Sequence, residues 1–422
     1  LQLKENNAKT VTKKKGIIFF IISDFIYLLY YFKSHTKNYF SDFMKDQFLL
    51  RDDIAFLNFG SFGACPKPVF ETYQNFQLEL ELQPVEFIIE KAPQYLKNSR
   101  IALGKYLNCH KDDLVCVTNP SYGVNIVAKN LNLKPGDEIL TTDIEYGACD
   151  RTWNYYCKKS GAKYVRQKTN FPLQSKEKFV EEFIKGITSK TKLIFISHIT
   201  SSTALRLPVE EICKIAREKG IMTFVDGAHG PAQVEVDLQK MDCDMYAGAC
   251  HKWMMAPKGA SFLYAKKEIQ AWLDPLVISW GYDADFPSHS KFLDYHEMQG
   301  TRDLSAFCTI PASIQFMEEN NWKEISENCR KMVQENALRL CEILEKRPLS
   351  KIDDDFIVQM FSCEIDTNNP KELHDLLLQK YKIEIPVMPH GDKCFIRYSI
   401  NAFNSQEDLD KLFWSLKEIF SK

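Results

Sequence analysis

The sequence predicts an α/β protein. A large unit is built on a mostly parallel sheet of seven strands flanked by helices, and a smaller α+β unit follows it. Three observations carry this. Short apolar runs alternate with segments of helical period between Val85 and Tyr264, and strands that alternate with helices form βαβ units. The chain has 422 residues, 45% of them hydrophobic and 26% charged, enough to bury a core in two or three domains. Beyond Gly300 the alternation gives way to one long amphipathic segment and three further strand candidates.

In order, the pattern is helical from Val85 to Tyr106, and Leu114–Thr118 is a short buried-strand run. Asn119-Pro120-Ser121 breaks it, and helical spacing resumes from Tyr122 to Leu131. Glu138–Thr142 is a strand, followed by a helix through Lys158 and a strand at Ala162–Gln167. Leu193–His198 is the next strand. Pro208–Lys219 is a helix with an early Glu210-Glu211 pair and a stop at Gly220. Ile221–Val225, Met245–Ala249 and Ala260–Tyr264 complete the seven strands. In the smaller unit, Trp322–Lys346 reads as one helix, with strands at Phe356–Glu364, Ile383–Met388 and Cys394–Ile400 and helices at Lys371–Lys380 and Gln406–Phe420.

With 54 basic and 56 acidic residues the net charge is −2, which gives no electrostatic drive toward nucleic acid or an anionic membrane. Thirteen scattered cysteines without a C-x-x-C pair, and no usable N-x-S/T site, lean toward a reducing, cytoplasmic setting. There is no zinc-type Cys/His spacing, no H-E-x-x-H and no Walker loop, so no metal is expected. Residues 1–43 differ from the rest. Lys13-Lys14-Lys15 precede the apolar run Gly16–Phe32, and the first methionine is Met44. A signal anchor is one reading. Against it, Asp24 interrupts the run, which is short for a bilayer span of about 20 residues. The alternative is that translation starts at Met44 and 1–43 is a non-native or disordered extension. The expected organisation is then an arm over 44–68, a large domain over 69–305 and a small domain over 306–422.

Two stretches carry the chemistry: Phe224-Val225-Asp226-Gly227-Ala228-His229-Gly230 and Gly248-Ala249-Cys250-His251-Lys252-Trp253. An acid ends one apolar run and a lysine follows the next. Pyridoxal 5'-phosphate needs such a pair: a lysine for the Schiff base and an acid that keeps the pyridine nitrogen protonated. Ligands of open parallel sheets bind at the strands' carboxyl ends. Ser121, Tyr122 and Gly123 open a helix there, suited to a phosphate, and Tyr146 follows another strand. Each residue alone has a plainer role, Asp226 as a turn acid, Lys252 as a surface lysine, Ser121 as an N-cap and Tyr146 as packing. Together they form a constellation.

At these residues the chain resembles the class V aminotransferase group of fold-type-I pyridoxal phosphate enzymes, in particular its isopenicillin N epimerase-like branch. The resemblance is carried by Leu57-Asn58-Phe59-Gly60-Ser61-Phe62-Gly63, Thr118-Asn119-Pro120-Ser121-Tyr122-Gly123-Val124-Asn125, the Asp226 and Lys252 stretches, Ala256-Pro257-Lys258-Gly259, Gly300-Thr301-Arg302-Asp303 and Ile396-Arg397-Tyr398-Ser399. It implies that Lys252 forms the Schiff base and moves the Cα proton, that Asp226 pairs with the ring nitrogen, and that Tyr146 stacks on the ring. It implies that Ser121, Tyr122, Asn125 and His251 serve the phosphate side, with Thr301 reaching the phosphate of the partner in a homodimer. His229 falls at a polar contact to the ring hydroxyl, and Ser201 stands where relatives often carry Asn. Arg397 would clamp the substrate carboxylate, with a structural ion pair as the alternative, and Asn58 would help on the substrate side. Trp280, Tyr282, Phe286, His289 and Arg302 are candidates for the side-chain pocket. The implied chemistry starts at the Cα–H of an amino acid. A C–S lyase is the expected outcome, because an epimerase needs a second proton donor that the sequence does not announce. The epimerase, an aminotransferase and a non-catalytic binding module stay open. Desulfuration is disfavoured, since Cys394 falls inside a strand three residues before Arg397 rather than on a loop.

Overall fold

Seven strands form the large sheet of the computed structural model, which describes residues 43–420. The expectations for residues 1–42, including the apolar run Gly16–Phe32, lie outside the described residues. A short strand β1, Ala55–Phe56, belongs to the arm. The large sheet comprises β2 (Leu114–Val117), β3 (Glu138–Thr142), β4 (Lys163–Gln167), β5 (Thr191–Ser197), β6 (Met222–Gly227), β7 (Met245–Ala249) and β8 (Ser261–Ala265), in spatial order β2-β8-β7-β6-β5-β3-β4. Only β8 runs against its neighbours. The runs are apolar because helices cover both faces, and β2, β3, β7 and β8 are buried at every position. β4 is the exception. It ends the sheet and exposes Lys163 and Arg166, charges that discourage edge-to-edge pairing.

The smaller unit carries β9 (Met360–Glu364), β10 (Ile383–Glu384), β11 (Val387–His390) and β12 (Lys393–Ser399), with β9 packed on the helix Trp322–Ile343 and β10 and β11 on the helix Pro370–Gln379. Here the sequence expectation needs three corrections. The single strand expected over Ile383–Met388 is two. Pro386 has no N–H to give a ladder, so β10 pairs in parallel with β1 of the arm while β11 pairs antiparallel with β12. The strand expected from Phe356 begins only at Met360. Before it, the Phe356 carbonyl accepts from Arg206 N–H and the Gln359 N–H donates to Gln233 Oε1, which docks this segment on the large unit. The helical stretch from Val85 is interrupted by a π-helical turn at Phe87–Lys91 before Ala92–Tyr106 continues as α-helix.

The arm seals the two units together. Gly63 has φ +65°, and a Cβ there would lie 2.3 Å from the His251 carbonyl oxygen and 2.8 Å from that of Lys252. A Cβ at Gly60 would meet Met360 Sδ at 2.7 Å and Arg397 Nη2 at 3.1 Å. The motif Asn58–Gly63 therefore allows backbone to lie directly against the lysine loop and the arginine strand. Gly63→Ala is expected to cost about 2 kcal/mol or more, because a left-handed conformation alone costs about 1–2 kcal/mol for a residue with a Cβ. A lowered thermal midpoint together with weaker cofactor retention is the expected readout.

Candidate active site

The carboxyl ends of β3, β5, β6 and β7 and the start of the helix Pro120–Asn130 surround a cavity of about 320 Å³. Ser121, Tyr146, Ser201, Asp226, His229, His251 and Lys252 all line it. Sequence reasoning thus brought seven separated positions to one place. Asn119 caps the helix, its side chain accepting from Tyr122 N–H at 2.9 Å, and Pro120 occupies the first turn. This leaves early N–H groups and the dipole's positive end facing the cavity at Ser121.

Lys252 sits in the tight connection between β7 and β8. That loop is closed by hydrogen bonds from the Cys250 and His251 N–H groups to the Ala260 carbonyl and from Ala256 N–H to Cys250 O. Burial, with repulsion from Arg397, lowers its pKa to about 8. Because the neutral amine is the nucleophile toward an aldehyde, imine formation is expected to accelerate as pH rises through about 8, rather than through the ordinary lysine range near 10.4. Stopped-flow binding of pyridoxal phosphate against pH measures this.

Asp226 is the penultimate residue of β6 and is 4% exposed. One oxygen accepts from Ala228 N–H at 3.0 Å and the other from the Cys149 thiol at 3.4 Å. Burial raises its pKa. Among the described residues no lysine or arginine nitrogen comes within 4.0 Å of it. A buried carboxylate facing a cavity without a cation fits a protonated pyridine nitrogen. Tyr146, at the start of the helix Gly147–Ser160, remains 47% exposed at the mouth, a free aromatic face for a flat ring.

The remaining candidates lie off this wall or are held by neighbours within the chain. The Tyr122 hydroxyl donates to Gln299 Oε1 at 2.8 Å, and Asn125 Nδ2 donates to the Ser121 carbonyl and to Thr152 Oγ1. Neither lines the cavity; they brace its helix. Thr301 is exposed beyond Gly300 and also lies off the cavity wall. Asn58 is turned to Glu384, donating at 2.8 Å, while it accepts from the Ser61 hydroxyl. Of the side-chain pocket candidates none lines the cavity: His289 bonds Asp112, Arg302 bonds Gln299 and the Glu297 carbonyl, and Trp280 and Phe286 are exposed. His251 is fixed by Nδ1 against the Ala260 carbonyl at 3.1 Å, and burial lowers its pKa to about 4.

Arg397 is the residue whose surroundings say most. It is 1% exposed on β12, and burial lowers its pKa to about 10, so it stays cationic at neutral pH. Among the described residues no carboxylate lies within ion-pair distance of it, so the surroundings do not favour the alternative of a structural ion pair. Instead Nη1 donates to the Ser201 carbonyl at 2.6 Å and Nη2 to the Ser61 hydroxyl at 3.3 Å, while Nε is unpartnered. Ser61 and Ser201, which hold it, both face the cavity.

Several residues escaped the sequence reading. Glu145 is buried behind the wall, accepting from the Ser197 N–H and hydroxyl and from the Thr142 hydroxyl. Burial raises its pKa to about 7. It ties the end of β3 to that of β5 and so sets Tyr146, its neighbour in sequence. Its only sequence signal was adjacency to Tyr146. Cys149 gave none, and Ser61 only its place in the Leu57–Gly63 motif.

The fold places a partly buried lysine and a buried acid on one cavity at the carboxyl ends of the sheet's strands. The chain belongs to the aminotransferase class-V family, whose model matches residues 64–412. It is accordingly a pyridoxal phosphate-dependent enzyme. It is similar to isopenicillin N epimerase of Amycolatopsis lactamdurans, 30% identical over 390 residues, covering 89% of this chain and 97% of the relative. It is also similar to a probable chloroplastic L-cysteine desulfhydrase of Arabidopsis thaliana, 26% identical over 415 residues, 90% of this chain and 86% of the relative. Among solved structures, the apo cysteine desulfurase of Thermococcus onnurineus NA1 superimposes with a TM-score of 0.77 at 22% identity, over 89% of this chain and 97% of that one, and shares the fold.

Proposed function

We propose that the protein is a C–S lyase that eliminates the β-substituent of a cysteine conjugate or its sulfoxide. Bound in the cavity, pyridoxal phosphate supplies an electron sink that acidifies the Cα–H of an amino acid attached to it. Arg397 binds the substrate carboxylate, since a carboxylate would satisfy a buried, acid-free guanidinium. Asn58 orients Ser61 beside it. Lys252 takes the Cα proton as the Cα=Cβ bond forms and the Cβ–S bond breaks, the sulfur leaving with its electron pair. Hydrolysis of the resulting enamine gives pyruvate and ammonia. Asp226 holds the ring nitrogen's proton, Tyr146 covers the ring, and Ser121 with the helix N-terminus receives the phosphate.

One observation carries the choice of elimination. Among the described cavity residues Lys252 is the one amine or imidazole poised near neutrality, at about 8. His229 and His251 are held neutral well below their ordinary value, and Glu145 is sequestered behind Ser197. A single base suffices for elimination, and the similarity to a desulfhydrase, whose name denotes loss of hydrogen sulfide from cysteine, supports it. Desulfuration is not favoured. Cys394 is buried in β12, paired across to Pro389, and its thiol pKa is raised. The epimerase reading is kept by the 30% identity to isopenicillin N epimerase. Incubation with L-cysteine and with cysteine-conjugate sulfoxides tests the proposal. Pyruvate release is expected, and Cα epimerisation without pyruvate would contradict it.

The assembly we infer is a homodimer. Leu78, Leu82, Val85 and Ile89 are exposed apolar side chains, as are Ile278, Trp280 and Phe286, and a second copy would cover such surface. Sedimentation at the mass of two chains is expected.

A further inference from the structure

The lysine loop holds a three-residue relay whose parts come from two strand ends. Trp253 is 1% exposed, and its ring packs 5.2 Å from that of Phe59 in the arm. A buried indole N–H needs an acceptor, and here Nε1 donates to Nδ1 of His229 at 3.1 Å. The other ring nitrogen of His229, Nε2, lies 3.1 Å from Lys252 Nζ. This ring orientation engages both nitrogens. Turned over, carbon atoms would face Trp253 and Lys252. An indole nitrogen can only donate, so Nδ1 must carry a lone pair. His229 is 2% exposed and burial keeps it neutral, so its one ring proton sits on Nε2.

We propose that Trp253 is a positioning residue that locks His229 in the Nε2–H tautomer and thereby makes it a hydrogen-bond donor toward the reactive end of Lys252. The consequence is chemical. A lysine ammonium has no lone pair and would set its N–H against the Nε2–H, whereas the free amine accepts from it. The relay therefore favours the nucleophilic, proton-accepting form of Lys252, and it offers a donor, never an acceptor, to whatever oxygen or nitrogen takes the amine's place. The groups facing Lys252 besides His229 are Arg397, Asp226, Cys149 and His251. None of these fixes a tautomer. The inference relies on the reading of Lys252 as the reactive lysine only for this consequence. The tautomer itself is read without substrate.

The test is nitrogen NMR of the purified full-length protein labelled with ¹⁵N-histidine, with His229 assigned by its loss in His229→Gln. The expected spectrum shows a neutral ring with the proton on Nε2 and an unprotonated Nδ1. In Trp253→Phe the two nitrogens should shift toward each other as the tautomers mix, or exchange places. A wild-type His229 protonated on Nδ1, or cationic, would overturn the proposal. So would a Trp253→Phe spectrum unchanged from wild type. Should Trp253→Phe not fold, the wild-type spectrum alone decides. A failure of the lyase reading would leave the tautomer untouched, so the two are distinguishable.

Discussion

Lys252→Ala is expected to abolish turnover, with a loss of at least about 10⁴-fold, because it removes both the covalent anchor and the base. The wild-type protein should be yellow with bound pyridoxal phosphate and lose that band on borohydride reduction. The variant should bind the cofactor as the free aldehyde, which borohydride reduces without fixing it to the chain. Stability should change little or rise. A partly buried lysine whose pKa desolvation lowers to about 8 opposes folding at neutral pH, and its ionisation cost disappears with alanine. The sign can be checked in the wild type. Since the folded pKa lies below the unfolded value, the unfolded chain binds more protons between about 8 and the ordinary lysine range, so this lysine's destabilising effect fades as pH rises through that window. Borohydride fixation of the cofactor to the Lys252→Ala chain, read as a gain in the mass of the polypeptide, would place the imine on another lysine.

Arg397 should show the second-largest effect. Hydrogen bonds to a charged group contribute about 1.5–3 kcal/mol each, so losing a forked pair in Arg397→Ala is expected to lower kcat/KM by about 10²–10⁴-fold, mainly through KM if the carboxylate is bound alike in ground and transition states. Arg397→Lys keeps the charge but not the fork and should recover only part of the loss. A merely structural arginine would depress activity too, so the decisive readout is discrimination. Wild type should strongly prefer an amino acid over the amine lacking its carboxylate, and Arg397→Ala should lose most of that preference. Equal preference in both proteins would remove Arg397 from the substrate. Its surroundings make the expectation specific, since Ser201 and Ser61 hold the guanidinium without neutralising it.

How much of this was legible in the sequence follows from what kind of contact each feature needs. The buried strands of the large sheet are continuous apolar runs, so their order along the chain and the residues at their ends could be read directly. That placed Asp226, Lys252, Tyr146 and Ser121 on one rim. What joins distant segments left no local pattern. β1 pairs with β10 across 328 residues, Ala55 opposite Ile383. That pairing, with Pro386, splits the strand expected from Ile383. The Ser201 carbonyl meets Arg397 from 196 residues away, so Ser201 gains a role in holding the arginine that its own neighbourhood does not suggest. Tyr122 and Asn125 show the opposite limit. Their position in a helix opening the site was correct, but which side chains turn inward depends on Gln299 and Thr152, residues that no periodicity links to them. The thiol of Cys149 against Asp226 and the indole of Trp253 against His229 likewise exist only in three dimensions.

In the proposed lyase one base, Lys252, serves one face of the substrate, and a leaving group on Cβ decides the product. Turnover of a cysteine-conjugate sulfoxide in deuterated water, followed by proton NMR and chiral chromatography of the remaining substrate, tests it directly. Deuterium-labelled pyruvate is expected, with residual substrate that is exchanged at Cα only with retention. Residual substrate of inverted configuration carrying deuterium at Cα, without pyruvate, would contradict it.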